Sequence, residues 1–341
     1  MRSSPTPIDQ HSRIPLTVIG GAPRAGKTSL VRHMLEQTTG RRIAAVVADD
    51  RAIDPEFVAR REGHRFILRN GCVCVLAEDD GAASLADLAE DAERPEHVIV
   101  DGDGHTDARR LSGYGYMPGY SLDGTIIVLD APGVRQILGD SSAEAELREQ
   151  TSMADVVILN KIDLSSDDEV EEAQRLIERL SPTTRIVWSE HSRVAPPLLL
   201  GSPDGPDALD ARAIVAQWTS EYVPVRPKPR VSLSGGRTQR GERHRAWCLV
   251  SDNPIDGREF RAWVQRLPPA ILSGRGAVYL REEPQHRQTF HLLGSRWRLE
   301  RGTPWGQDAP STRLLLAGLG GGGDGPRRGF YPGRDDDGSA A

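Results

Sequence analysis

Short apolar runs punctuate the first two thirds of the chain. They are IPLTVIG (14–20), RIAAVVAD (42–49), HVIVDGD (97–103), GTIIVLDA (124–131), DVVILNKID (155–163) and RIVWSE (185–190). Each is close to continuously apolar rather than alternating, as expected of strands buried on both faces. Between them lie patterns with helical spacing at 27–37, 83–92, 143–152 and 167–180. The last, DDEVEEAQRLIERL, opens with carboxylates, which suit a helix N-terminus, and carries an apolar stripe. Strands alternating with helices predict an α/β fold with a mostly parallel sheet over 14–200. The composition changes at 201–230, where GSPDGPD and VPVRPKPR bracket a short helical pattern, ALDARAIVAQWTSEY, expected to be a linker. Strand-like stretches then surround one helical pattern, DGREFRAWVQRL, and predict a smaller α+β domain over 231–317. Residues 1–13 and the Gly- and Asp-rich 318–341 are expected to be a disordered lead and tail.

Three loops at the ends of these runs carry chemistry. GAPRAGKT fits G-x-x-x-x-G-K-[ST] with Gly21, Gly26, Lys27 and Thr28, between a predicted strand and a predicted helix. Successive N–H groups from Gly21, Ala22, Pro23, Arg24, Ala25, Gly26, Lys27, Thr28 and Ser29, less the proline, can wrap phosphates. Lys27 would bridge the outer phosphates and Thr28 would bind Mg²⁺. In VIVDGDG, Asp101 ends a buried run and Gly104 follows three residues on. The carboxylate would hold Mg²⁺ directly or through water, and the glycine N–H would sense the γ-phosphate. In VVILNKID, Asn160, Lys161 and Asp163 form N-K-x-D. Its aspartate accepts from guanine N1 and N2, donors that adenine lacks, so GTP is the expected nucleotide. Although 43 residues are Lys or Arg, lysine occurs only at Lys27, Lys161 and Lys228. Two of those three fall in these motifs.

Composition narrows the class further. A net charge of −6 argues against a general nucleic-acid binder. The Arg-rich REGHRFILRN and GGRTQRGERHRAW are expected to be solvated surface. No apolar run approaches the ~20 residues needed to cross a bilayer. The first residues lack the apolar core of a secretory signal, and three cysteines form no disulfide framework, so a reducing cytoplasm is expected.

Taken together, the phosphate loop, RNGCVCV, LDGTIIVLDA, EQTSMADVVILNKIDL and the later SGRGAVYL resemble the CobW-like GTPases. That family includes nitrile hydratase activators and is related to the hydrogenase and urease maturation GTPases. The resemblance, covering about 15–317, implies slow GTP hydrolysis and a metallochaperone or metalloenzyme-activator role with zinc or cobalt. It also implies a client metalloprotein or a like subunit recognised by the second domain. The family's C-x-C-C motif is partial here. Cys72 and Cys74 match, whereas Val75 replaces the last cysteine. Two thiolates suit a soft divalent ion but leave a tetrahedron open. Asp49, Asp50 and His105 are the candidates to complete it. Where many relatives have Glu, this chain has Asp101. Cys248 is expected to pack in a core, and Gln150 to make a helix-end contact. His64, His97, His244, His286 and His291 lack ligand spacing and are expected to be surface or satisfied. Arg24, Arg109 and Arg110 are candidates for an arginine finger. Two rival readings are a nucleotide-gated interaction protein whose metal site has decayed and a P-loop small-molecule kinase.

Overall fold

The computed structural model describes residues 13–38, 42–47, 58–62, 65–68, 71–75, 81–91, 94–102, 108–200 and 243–320. The strands within 58–75, residues 243–246 and residues 248 and 320 are described by their backbone. Most of the expected lead and tail (1–12 and 321–341), all of the 201–230 linker, and Asp49, Asp50, Gly104 and His105 lie outside the described residues, whereas 318–320, expected in the tail, end the last strand. The chain divides into two compact units, Met1–Pro196 and Pro197–Ala341.

The described residues of the first unit form a nine-stranded sheet. In chain order its strands are β1 (Ile14–Gly21), β2 (Ile43–Val47), β3 (Val58–Glu62), β4 (Arg65–Leu68), β5 (Gly71–Val75), β6 (His97–Asp101), β7 (Tyr120–Asp130), β8 (Val156–Asn160) and β9 (Arg185–Trp188). They lie in the order β3-β4-β5-β2-β6-β1-β7-β8-β9. From β5 to β9 every neighbouring pair is parallel; β4 is antiparallel to β3 and β5. The helices are α1 (Lys27–Gln37), α2 (Gly81–Glu90), α3 (Ala108–Ser112), α4 (Ala131–Gln136), α5 (Ser141–Ser152) and α6 (Asp167–Leu180); a short α7 (Pro196–Leu200) begins at the last residue of this unit.

Burial explains the apolar runs. Leu16, Val18, Val98, Val100, Ile127, Leu129, Val157 and Leu159 join one core cluster with Leu85 and Leu88 of α2 and Val170, Ala173, Leu176 and Ile177 of α6. The alternating residues Ile19, Ile99, Ile126, Val128, Val156 and Ile158 are equally buried, on the other face. Leu30, Val31 and Met34 supply the buried stripe of α1, which packs against β1 and β6. A strand covered on both faces has no polar alternation to show. Helix α6 starts at a capping box: Ser166 Oγ accepts from Glu169 N, and Glu169 Oε2 accepts from Ser166 N at 2.8 Å.

REGHRFILRN also carries a strand pair that its composition did not announce: β3 and β4 run antiparallel through it and extend the sheet at its edge. Charged positions are what an edge strand uses to discourage further pairing, so arginines did not exclude a strand.

In the second unit, β10 (Arg243–Ser251), β11 (Ile271–Val278), β12 (His286–Leu293), β13 (Arg296–Pro304) and β14 (Thr312–Gly320) form an antiparallel sheet in the order β10-β14-β11-β12-β13. Helix α8 (Gly257–Gln265) is capped by the Asp256 carboxylate and buries Phe260, Trp263 and Val264. Phe260 meets Phe290 of β12 edge to face, with centroids 5.4 Å apart. Strand β11 runs over ILSGRGAV and ends at Val278. Its glycines are packing devices. A Cβ on Gly274 would lie 2.5 Å from Leu316, and one on Gly276 2.0 Å from the Arg313 carbonyl.

Candidate functional site

Parallel pairing brings the chemistry-bearing residues to one edge. Register aligns Ile19 of β1 with Asp101 of β6, Gly21 with Val128 of β7, and Asp130 of β7 with Asn160 of β8. The three motif loops therefore leave the carboxyl ends of neighbouring strands, where open α/β sheets form their binding crevice.

The phosphate loop needs its two outer glycines for reasons the structure makes plain. Gly21 has φ +123°, and a Cβ there would sit 2.1 Å from the Val128 carbonyl. Gly26 has φ +110°, and a Cβ would sit 2.4 Å from both Asn160 Nδ2 and Ser192 Oγ. Lys27, buried in the first turn of α1, curls back so that Nζ donates to the carbonyls of Gly21 (3.0 Å) and Ala22 (2.9 Å). That ammonium is held over the loop whose N–H groups would meet a phosphate. Ala25 is buried, Ala22 is half-buried, and Pro23, Arg24 and Ser29 are exposed. Thr28 follows Lys27 in the first helical turn, and Asp101 is buried at the end of β6. A hydroxyl and a carboxylate are the oxygen donors that suit Mg²⁺. Where bound, that ion would neutralise phosphate charge.

The base-reading motif is locked to the loop. Asn160, 2% exposed, donates from Nδ2 to the Ala25 carbonyl and to Ser192 Oγ, both at 2.8 Å. Its Oδ1 accepts from Ser192 N at 2.9 Å, and Ser192 Oγ donates to the Gly26 carbonyl at 2.9 Å. Lys161 Nζ lies 3.7 Å from Asp130 Oδ2, and Asp163 Oδ2 lies 3.9 Å from His191 Nε2. The described non-glycine residues with left-handed backbone are Arg24 (φ 62°), Lys161 (57°), His191 (53°) and Ser192 (58°). All four sit in the phosphate loop, the N-K-x-D turn or the loop after β9. Such conformations cost on the order of 1–3 kcal/mol each and persist where the surroundings over-determine them, typically at functional sites.

Sequence reasoning passed over Ser192, His191 and Asp130. A polar cluster, SEHS, at the carboxyl end of the next parallel strand was the available signal. Arg109 and Arg110 are exposed on α3. His97 is fully buried, with Nε2 2.8 Å from Thr17 Oγ1. Both ring nitrogens of His286 lie 3.2 Å from Arg301 Nη2, His291 is half-buried, and His244 and Cys248 are placed on β10 by backbone. Gln150 Nε2 lies 3.5 Å from Glu146 Oε1 near the end of α5. His64 lies outside the described residues.

Cys72 and Cys74 are two apart on β5, hence at positions on one face of the sheet, while Val75 falls on the other. Cys74 pairs with Val46 of β2, which in turn pairs with Val100, the residue before Asp101. The cysteine strand is thus two strands, about 10 Å, from the Asp101 strand. Among residues whose side chains are described, no three of His, Cys, Asp and Glu converge as a metal site.

The strand–loop–helix with its lysine, beside an N-K-x-D turn on the same sheet edge, is the crevice of a phosphate-loop nucleotide-binding protein. Residues 15–188 match the CobW/HypB/UreG nucleotide-binding domain, and residues 244–323 match the cobalamin synthesis protein cobW C-terminal domain. The first match covers just over half of the chain, and the chain belongs to the CobW/HypB/UreG family. It is 27% identical over 194 residues to the zinc-regulated GTPase metalloprotein activator 1 of Schizosaccharomyces pombe, covering 53% of this chain and 47% of that protein. It is 26% identical over 223 residues to the zinc chaperone CobW of Sinorhizobium sp, covering 56% of this chain and 63% of that one. Both matches span less than two thirds of the relative. The zinc chaperone YjiA of Escherichia coli strain K12 is 21% identical over 321 residues, 90% of this chain and 94% of that protein.

Proposed function

We propose that this protein binds guanine nucleotide with Mg²⁺, hydrolyses GTP slowly, and uses the nucleotide state to control delivery of a zinc- or cobalt-class ion to a client metalloprotein. The observation that carries the reading is the buried Asn160–Ser192 network, which joins the base-reading turn to Ala25 and Gly26 of the phosphate loop. Two separate strand ends are thereby held as one site, and the names borne by the relatives agree with it. In this reading Asp163 selects guanine, Lys27 and the loop amides stabilise charge on the phosphoryl group, and Thr28 and Asp101 hold Mg²⁺. Gly104 senses the γ-phosphate, and Cys72 and Cys74 offer two thiolates to the cargo ion. The remaining ligands come from the client or from Asp49, Asp50 or His105. Strand β2 lies between the cysteine strand β5 and β6, which ends at Asp101, so GTP and metal affinity should be reciprocally coupled.

Competitive Zn²⁺ and Co²⁺ titration of the purified protein with Mg²⁺ and either a GTP analogue or GDP tests this, with Cys72→Ser/Cys74→Ser in parallel. At least tenfold tighter metal binding in the GTP-analogue state, lost in the variant, is the expected outcome. Affinity independent of nucleotide and unchanged in the variant would overturn the metal role. It would favour the second reading, a nucleotide-gated interaction protein, for which Val75 speaks.

A further inference from the structure

We propose that Arg24 is a catalytic residue, an arginine supplied by the phosphate loop itself to stabilise the phosphoryl group in transfer. This role rests on the GTP-hydrolysis reading above and singles out one of the three candidate arginines. Arg24 lies in a turn closed by Ala25 N–H, which donates to the Ala22 carbonyl at 3.3 Å. Pro23 precedes it, and its own φ is 62°. A turn with proline second and a left-handed third residue ordinarily carries Gly or Asn in third place, because a larger side chain strains that backbone. An arginine there gains nothing from the local conformation.

The turn is clamped on both sides. The Ala22 carbonyl also accepts from Lys27 Nζ at 2.9 Å, and the carbonyl of fully buried Ala25 accepts from Asn160 Nδ2 at 2.8 Å. The strain is thus held by residues that build the crevice, as expected where strain serves function. The Arg24 side chain is exposed, and among the described residues it makes no hydrogen bond or ion pair. Arg109 and Arg110, by contrast, stand on helical backbone in α3, and both already have interaction partners. Lys27 is drawn inward under the loop, while Arg24 offers a permanently charged fork of N–H donors on its rim. In hydrolysis a water oxygen bonds to the γ-phosphorus as the bond to the β–γ bridging oxygen breaks. That electron pair stays with GDP, and the protons of the water leave with inorganic phosphate and solvent. The guanidinium keeps its protons and donates hydrogen bonds to the bridging and γ oxygens, where negative charge gathers.

The test compares wild type with Arg24→Gly as full chains, by single-turnover hydrolysis at saturating GTP with Mg²⁺. Equilibrium affinities for GDP and for GDP with aluminium fluoride, a mimic of the phosphoryl group in transfer, are measured alongside the nucleotide-free melting temperature. Glycine removes the guanidinium and relieves the backbone, so the melting temperature should rise. Hydrolysis should nevertheless slow by at least about tenfold, as for other arginines that act in cis. GDP affinity should stay within about threefold, and the aluminium fluoride complex should weaken in proportion to the rate. An unchanged rate in Arg24→Gly would overturn the proposal. So would a loss confined to GDP affinity, or a slower rate with the aluminium fluoride complex as tight as in wild type. If the wild type itself releases no phosphate from GTP, the GTPase reading fails and Arg24 falls with it. A hydrolysing wild type with an equally fast variant sinks the role of Arg24 alone.

Discussion

The crevice at the carboxyl ends of β1, β6, β7 and β8 and the core under the C-terminal sheet are held together by opposite means. In the crevice, buried Asn160, Ser192 and Lys27 are fastened by hydrogen bonds to main-chain carbonyls, and four non-glycine residues hold left-handed backbone. In the second unit, Phe260, Trp263, Phe290, Leu314 and Leu316 interlock without any described non-glycine residue in that conformation. The first arrangement is specific and costly to maintain, because its polar groups must all stay paired. The second is non-directional and scales with apolar area. Substitutions in the two regions should therefore fail differently. Crevice changes should register mainly in nucleotide affinity, and sheet-core changes in stability.

The largest expected effect tests the sheet side. Phe290→Ala removes the ring that meets Phe260 edge to face and should cost about 3–5 kcal/mol of stability. Differential scanning calorimetry would follow the transition, and GDP affinity below that transition should stay within about twofold. A parallel loss of GDP affinity would show that the two regions are not energetically separate. On the crevice side, Asn160→Ala strips a donor from the Ala25 carbonyl and an acceptor from Ser192 N. Leaving buried partners unsatisfied costs about 1–3 kcal/mol, so GDP should weaken by roughly ten- to a hundredfold. If the melting temperature drops while GDP affinity holds, the network is scaffolding rather than site.

A smaller effect belongs to neither region. Ser166→Ala removes the cap of α6 and should cost about 1 kcal/mol, measured by denaturant unfolding, with GDP affinity unchanged. The Glu169 carboxyl in the same box is held below its usual range, first by the Ser166 main-chain N–H and then by the Ser166 side chain. The box is thus at its strongest above the ordinary Glu range and loosens as pH falls through it.

What could be read from the sequence, and what could not, follows the same division. GAPRAGKT and NKID were legible because their chemistry sits in contiguous residues of fixed spacing. Ser192 was not, because its partners are 32 and 166 residues away and its left-handed backbone carries no glycine to announce it. The parallel strands were legible from burial on both faces. The β3–β4 pair was not, because arginines at a sheet edge look like solvated surface. In β11, Gly274 and Gly276 resemble turn residues locally and become packing requirements only once Leu316 and the Arg313 carbonyl are against them.

The smallest effect probes the seam between α1 and the loop that holds Ser192. His33 on α1 has its pKa lowered by burial first and by the Arg193 guanidinium second, while a hydrogen bond with the Val194 main chain opposes the shift. An unfolded chain takes up this proton at the ordinary histidine value near 6.5, whereas the folded chain resists it. Stability linked to His33 is thus fully present above about pH 6.5 and is lost as pH falls from there through the lower folded value. Denaturant unfolding of wild type and His33→Gln between pH 7.5 and 5.5 would isolate it, the difference between the two proteins removing the other histidines. Wild type should lose more stability on acidification than the variant. Equal slopes would mean that protonation of His33 is not resisted by the fold, and that Arg193 and the 189–194 loop exert no pull on α1 through it.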